Sequence, residues 1–174
     1  MNNVIHHNES PVTSTDKEEI RIWKLLEEVF DPEVPVLSII DLGIVRKVAL
    51  PQLSPGLVEI TITPTYSGCP AMDMISMNIK MLLLSYGYKT VKIISVLSPA
   101  WTTEWMTDSG KKKLQDYGIA APHKLESATQ ENVPACPQCA SANTRLLSQF
   151  GSTACKALYQ CNECKEPFDY FKCH

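Results

Sequence analysis

Four cysteines near the end of the chain occur as two pairs, and each pair has two residues between its members. The pairs are Cys136 with Cys139 and Cys161 with Cys164. Two intervening residues let both sulfurs of a tight turn face one ion, and a second such turn completes a tetrahedron of thiolates. A segment this short buries too little apolar surface to fold alone, so metal bonds would supply the missing free energy. The spacing therefore predicts a structural Zn²⁺ site in a zinc ribbon.

The same four thiols would form two disulfides in an exported protein. Residues 1–14 lack the basic start and apolar run of a secretion signal, and the chain has seven cysteines, an odd number. We therefore expect a cytoplasmic protein whose thiols are reduced or bound to metal.

A fifth cysteine, Cys69, lies at the predicted start of a helix, because the following Pro70 suits the first helical position. Unpaired N–H groups and the positive end of the helix dipole stabilise an anion there, which predicts a lowered thiol pKa. Gly68 permits a close turn, and residues 65–67 add three hydroxyl groups. A small buried apolar residue is the alternative interpretation of this cysteine, and we favour a functional thiol.

The segment 31–43 is an extended, proline-stiffened loop that carries three carboxylates, Asp31, Glu33 and Asp41. An iron–sulfur cluster usually takes four protein ligands, so Cys69 alone cannot hold one. Further ligands would come from a second copy of the chain in a homodimer, from a client protein, or from a carboxylate such as Asp31 or Asp41.

Two remaining thiols, Cys155 and Cys173, fall within the predicted ribbon but outside its two pairs. They are a less favoured source of extra ligands. We favour simple packing, or spare thiols beside the zinc, for both of them.

Hydrophobic periodicity predicts an α+β domain with the order α-β-β-α-β-α and a three-stranded sheet, followed by the ribbon. Three helices are predicted: 16–30, beginning at a capping box of Thr15 and Glu18, then 70–86, and one that is capped by Thr107 or Asp108 and ends before Gly118. The predicted strands are 44–50 and 58–63, which form a hairpin, and 91–97. The predicted domain limits are 1–14 for a mobile tail, 15–120 for the α+β domain, 121–134 for a linker and 135–174 for an appended ribbon.

Three expectations concern burial. Strand 91–97 is apolar on both faces, as a central strand covered by helices would be. The four methionines of the second helix are expected to fill the core; they are Met72, Met74, Met77 and Met81. Trp101 and Trp105 would either form an exposed docking edge or pack in the core.

Charge and motifs exclude several function classes. The net charge is -3, so no positive field attracts nucleic acid. No apolar stretch approaches the roughly 20 residues that cross a bilayer. Gly110-Lys111 lacks the rest of a phosphate loop, and His123 has no nearby carboxylate to orient it. No complete catalytic site is visible, which favours a protein without catalytic chemistry of its own.

Three segments carry a resemblance to a known family. Residues 31–35, 39–43 and 63–70 read DPEVP, IIDLG and TPTYSGCP, and they resemble the small proteins that act late in iron–sulfur cluster assembly. The ribbon segments 150–156 and 166–173 resemble one zinc-ribbon branch of that family, the D subunits of bacterial phenylacetyl-CoA epoxidase systems. The likeness extends over 15–173.

The resemblance implies an accessory role in aerobic phenylacetate degradation, where a di-iron oxygenase epoxidises the ring of phenylacetyl-CoA. The implied role is to mature or repair an iron or iron–sulfur centre, with the oxygenase and reductase subunits as partners. Cys69 would handle transient iron or a cluster, with Asp31, Glu33 and Asp41 facing it. A structural subunit that docks oxygenase components through the ribbon is the alternative. A thiol oxidoreductase is disfavoured, because zinc occupies both cysteine pairs.

Overall fold

The computed structural model describes residues 14–122 and 133–172. The helices are α1 (Ser14–Leu26), α2 (Ala71–Ser85) and α3 (Asp108–Asp116), with a 3₁₀ turn at Thr103–Trp105; the strands are β1 (Val45–Ala49), β2 (Leu57–Ile62), β3 (Thr90–Ser95), β4 (Thr144–Ser148), β5 (Lys156–Cys161) and β6 (Pro167–Phe171). This order confirms the predicted α+β domain followed by a ribbon. The predicted tail up to residue 13, His123, Cys173 and most of the linker lie outside the described residues, so those predictions stay predictions. None of the described helices is long and apolar enough to cross a bilayer.

Strand β2 is the centre of the first sheet. It pairs antiparallel with β1, as the predicted hairpin requires, and parallel with β3. Its residues alternate between buried and half-buried, so one face of the strand meets the helices. The prediction that 91–97 is the central strand is wrong, because β3 is an edge strand and none of its residues is fully buried.

Helix α2 buries its branched aliphatic residues rather than its methionines. Ile75, Ile79 and Leu83 are fully buried and share one face of the helix. The prediction that the methionines fill the core is wrong for three of them. Met74, Met77 and Met81 are 48%, 52% and 61% exposed, whereas Met72 is partly buried against the core. Two apolar stripes compete on this helix, and the more rigid, better-packing side chains occupy the core.

Helix α1 ends four residues before the predicted limit of Phe30. The chain turns after Leu26. Phe30 then forms an antiparallel bridge with Ser38, which holds the two sides of the acidic loop together. Thr15 lies in the first turn of α1 instead of preceding it, so the predicted capping box is wrong.

The ribbon packs directly on the α+β domain and is not a separate appendage. Trp101 is buried, its indole N–H donates to the Leu42 carbonyl at 2.8 Å, and its ring meets Phe171 of the ribbon edge-on at 6.2 Å. Backbone bonds join Ala120 to the strand β6 through Asp169 and Phe171. Trp101 therefore belongs to the core and connects the two parts of the fold.

Candidate functional site

The four paired cysteines converge at one end of the ribbon. Their sulfur atoms all lie within 4.8 Å of one another. Sγ of Cys136 is 3.7 Å from Sγ of Cys164, and Sγ of Cys139 is 3.6 Å from Sγ of Cys161. Each close pair therefore joins one turn to the other, which is the arrangement that a shared ion requires.

Local backbone geometry explains why the two turns match. The residue after each pair has a positive φ, 59° at Ala140 and 67° at Lys165, which ends each turn tightly. Desolvation acts to raise the pKa of Cys161, but N–H groups of Cys164 and Glu163 that point at its sulfur lower that pKa to about 7. Backbone N–H groups also reach the sulfurs of Cys139 and Cys164, and four converging thiols form a donor set that fits tetrahedral Zn²⁺.

Asp31 organises the acidic loop by accepting backbone hydrogen bonds. Its Oδ1 accepts from the N–H groups of Glu33 at 2.7 Å and Val34 at 2.8 Å. Burial raises the pKa of Asp31, although both N–H groups and the charge of Lys156 act to lower it. The carboxylate thus shapes the turn that presents Glu33.

Asp41 connects the same loop to helix α3. Its Oδ2 accepts from Ser38 and from the Lys113 ammonium at 2.6 Å, and its Oδ1 accepts from the Thr107 hydroxyl at 3.0 Å. Burial acts to raise the pKa of Asp41, but the Lys113 ammonium and the Ser38 and Thr107 donors hold it below the usual value. These oxygens are already engaged, so Asp41 positions the loop, and iron handling by Asp41 stays a prediction.

Substituting Asp41 by Asn is expected to destabilise the protein by about 1–3 kcal/mol, because charged hydrogen bonds are lost and donors are left unpaired. The lowered pKa means that this stabilisation is complete above pH 3.8, the ordinary value, and is lost as the pH falls through the lower folded-state value. Urea unfolding at pH 7 and pH 3 measures both effects.

Asp116→Asn is the matched control for this prediction, because Asp116 pairs with Lys112 at 2.7 Å on an exposed surface and should change stability by less than about 1 kcal/mol. Equal stabilities of the two variants at pH 7 would contradict the positioning role of Asp41.

Cys69 lies one residue before the N-cap of α2, which is Pro70. Its thiol is half-buried, hydrogen-bonds with the Tyr66 hydroxyl, and accepts from the N–H of Ala71. The predicted lowering of its pKa is wrong: burial raises the pKa of Cys69, the charge of Glu33 raises it further, and the helix N–H opposes both without prevailing. The thiol is therefore mostly protonated until a cation approaches.

The sequence offered Cys155 only as a less favoured source of ligands, but the structure places it near this site. Its Sγ lies 3.7 Å from Oε2 of Glu33 and 3.0 Å from the Thr153 hydroxyl, although it belongs to the ribbon. Burial raises the pKa of Cys155 to about 11, with the charges of Glu33 and Asp31 adding to the effect. The sequence around Cys155 does not predict this contact, because the contact forms only when the ribbon packs on the domain.

The fold and these two thiol sites define a class of protein. Residues 19–96 match the family described as iron-sulfur cluster assembly protein, and residues 120–172 match the PaaD zinc beta ribbon domain. A solved domain of unknown function, DUF59, from Bacillus anthracis has a TM-score of 0.54 and 29% identity over 58% of this chain and 94% of that one. The chain is thus an iron–sulfur assembly-type domain joined to a zinc ribbon.

One relative defines the family more closely. An Escherichia coli (strain K12) protein, assigned as the D subunit of a 1,2-phenylacetyl-CoA epoxidase, is 50% identical over 87% of this chain and 91% of its own length. The chain belongs to this family of phenylacetyl-CoA epoxidase D subunits. A Porphyromonas gingivalis (strain ATCC BAA-308 / W83) Fe-S protein maturation auxiliary factor is 35% identical over 53% of this chain and 87% of its own length.

Proposed function

We propose that this protein is a cytoplasmic accessory factor that matures or repairs an iron or iron–sulfur centre of the oxygenase or reductase of a phenylacetyl-CoA ring epoxidase. The observation that carries the proposal is the setting of Cys69, a partly accessible thiol that hydrogen-bonds with the Tyr66 hydroxyl and is influenced by the charge of Glu33. The family membership and the maturation factor relative support the same role.

The chemistry of the site suits transient binding of iron as cargo. Fe²⁺ approaching Cys69 would replace the thiol proton, which leaves to solvent, and the new iron–sulfur bond is polar enough to exchange with a client's ligands. Because the pKa of Cys69 is raised, the sulfur binds a proton again once the iron has left. Loading and release then both occur near neutral pH without a redox step.

A Cys69→Ser strain tests the proposal. We expect it to grow on phenylacetate no better than a deletion strain, and to contain reductase and oxygenase with depleted iron, because the handling thiol is gone. Growth and the metal content of the purified client proteins are the measurements. Ser67→Ala is the control, since Ser67 is exposed on the same turn and should behave as wild type. Normal growth with fully loaded clients in Cys69→Ser would refute the proposal.

The ribbon surface favours a second candidate, a structural subunit that docks oxygenase components. Leu146, Leu147 and Phe150 are 42%, 47% and 65% exposed on the edge strand β4 and the turn after it, and exposed apolar side chains are a feature of docking surfaces. A Leu147→Lys variant that loses the oxygenase in a pull-down, while client iron stays normal, would favour docking over maturation.

A further inference from the structure

Three separate parts of the chain bring metal-binding groups to one place. The acidic loop supplies Glu33, the turn before α2 supplies Cys69 with Tyr66, and the ribbon supplies Cys155. Sγ of Cys155 is 3.7 Å from the Glu33 carboxylate. The charges of Glu33 and of both thiols act on the Tyr66 hydroxyl, and burial together with these charges raises its pKa to about 12. Cys69 and Tyr66 pack against the same buried core that includes Cys155, so the four groups lie in one region at the contact between domain and ribbon.

Backbone contacts fix Cys155 in this position. Its carbonyl accepts from the N–H of Lys172 at 3.0 Å, and the N–H of Gly151 bonds to the carbonyl of Lys156 at 2.7 Å. A Cβ on Gly151 would lie 2.5 Å from Oδ1 of Asp169, so the loop before β5 admits no larger residue without a shift. The ribbon therefore presents this thiol in one defined place.

The surroundings of Cys155 are not those of a thiol that only fills space. Cys155 belongs to the buried hydrophobic core, but its sulfur also meets a carboxylate and a hydroxyl, which packing alone does not require. Lys156, whose charge acts on Cys155 and Asp31, already pairs with Asp169 at 3.2 Å.

We infer that Cys155 of the ribbon and Glu33 of the acidic loop are ligands, together with Cys69, of a thiophilic divalent cation such as Fe²⁺ bound between the ribbon and the domain. The inference rests on the proposed function, because it names the ligands that accompany Cys69. Two sulfur donors and one carboxylate oxygen suit iron, zinc or cobalt rather than magnesium or calcium. On binding, the two thiol protons leave to solvent and two metal–sulfur bonds form, with no change of oxidation state.

The ribbon acquires a second role through this site. Its own zinc would stabilise the strands, while Cys155 completes a cargo site on the neighbouring domain. This arrangement would place one of the three cargo ligands on a module that stands apart in sequence.

Anaerobic titration of the zinc-loaded full-length protein with Co²⁺ and then Fe²⁺ tests the inference. Co²⁺ bound to thiolates has charge-transfer absorption whose intensity follows the number of sulfur ligands. We expect Cys155→Ser to lower that intensity by about half and to weaken binding by at least about 10-fold. Glu33→Gln should weaken binding and leave the intensity nearly unchanged, and Glu28→Gln, an exposed carboxylate nearby, is its control.

A second measurement keeps the test valid if Cys155→Ser folds poorly. Alkylation of the wild-type protein, read by mass spectrometry at each cysteine, should show that one equivalent of Co²⁺ protects both Cys69 and Cys155. Protection of Cys69 alone, or unaltered binding by folded Cys155→Ser, would overturn the inference and leave the proposed function standing. Binding that persists in Cys69→Ser, or wild-type protein that binds no Co²⁺ or Fe²⁺ beyond its zinc site, would overturn both.

Discussion

Removal of Zn²⁺ from the four-cysteine site is expected to unfold the ribbon while much of the α+β domain stays folded. Structural zinc contributes about 10–16 kcal/mol of binding free energy at pH 7, and the ribbon's small apolar cluster cannot replace it. That cluster includes Ala157, Phe168 and Tyr170. Hydrogen exchange after chelation should show lost protection in β4, β5 and β6, with β2 and α2 still protected. Re-addition of Zn²⁺ should restore the original pattern.

Two ribbon variants sharpen this prediction. Cys161→Ser removes a fully buried member of the four-cysteine cluster and should lose zinc and ribbon protection together. Cys155→Ser changes a thiol of the same ribbon outside the cluster, so it should retain about one Zn²⁺ per chain. A ribbon that stays protected after complete removal of zinc would show that packing on Trp101 and Ala120 suffices to fold it.

Loss of zinc should also alter the region around Cys69. When the ribbon unfolds, Cys155 leaves Glu33 and the ring of Phe171 leaves Trp101. Tryptophan fluorescence of the domain is then expected to shift to the red as zinc is removed, because the buried indole becomes hydrated. The ribbon thus shields part of the domain as well as offering a four-cysteine metal site.

Gly43→Ala is expected to destabilise the α+β domain by roughly 2–5 kcal/mol. Gly43 has a φ of +66°, which costs an L-residue about 1–2 kcal/mol. An added Cβ would also lie 2.3 Å from the carbonyl oxygen of Trp105, and overpacking of this kind costs about 1–3 kcal/mol. The obstacle is backbone, so no side-chain rotation can relieve it. Urea unfolding followed by tryptophan fluorescence measures the loss.

Gly56→Ala is the matched control, because Gly56 has a φ of +85° but no atom within 4 Å of an added Cβ. Gly56→Ala should lower the free energy of unfolding only by the cost of the backbone strain, about 1–2 kcal/mol. If both variants lost the same stability, the close approach of Trp105 would have no energetic role. Gly43 ends the acidic loop, so Gly43→Ala should also weaken metal binding at Glu33, whereas Gly56→Ala should not.

Local patterns predicted the elements that depend on neighbouring residues. The β1–β2 hairpin followed from alternation in 58–63, and the cap of α3 at Thr107, which accepts from the N–H of Gly110, followed from side-chain type and spacing. The convergence of the four paired cysteines also followed from spacing, since each turn needs only its own backbone. The family resemblance, confirmed by the relatives, supplied the functional class.

Predictions failed where long-range packing decides between two local options. Helix α2 has two apolar stripes, and nothing within the helix indicates which one packs into the core. Strand β3 is apolar enough for a central place, yet its order in the sheet depends on the parallel crossover through α2. The pKa of Cys69 was predicted from the helix end alone, while burial and the charge of Glu33 reversed its direction.

By itself, the sequence determined the order of helices and strands, the four-cysteine cluster, and the loop that bears Asp31, Glu33 and Asp41, because each depends on residue type and short spacing. Only the tertiary structure decided that Asp41 joins the loop to α3, that Trp101 lies under the ribbon, and that Cys155 meets Glu33. Cys155 and Glu33 are 122 residues apart in sequence. Such contacts arise when separate apolar surfaces bury each other, and no local pattern records which surfaces will meet.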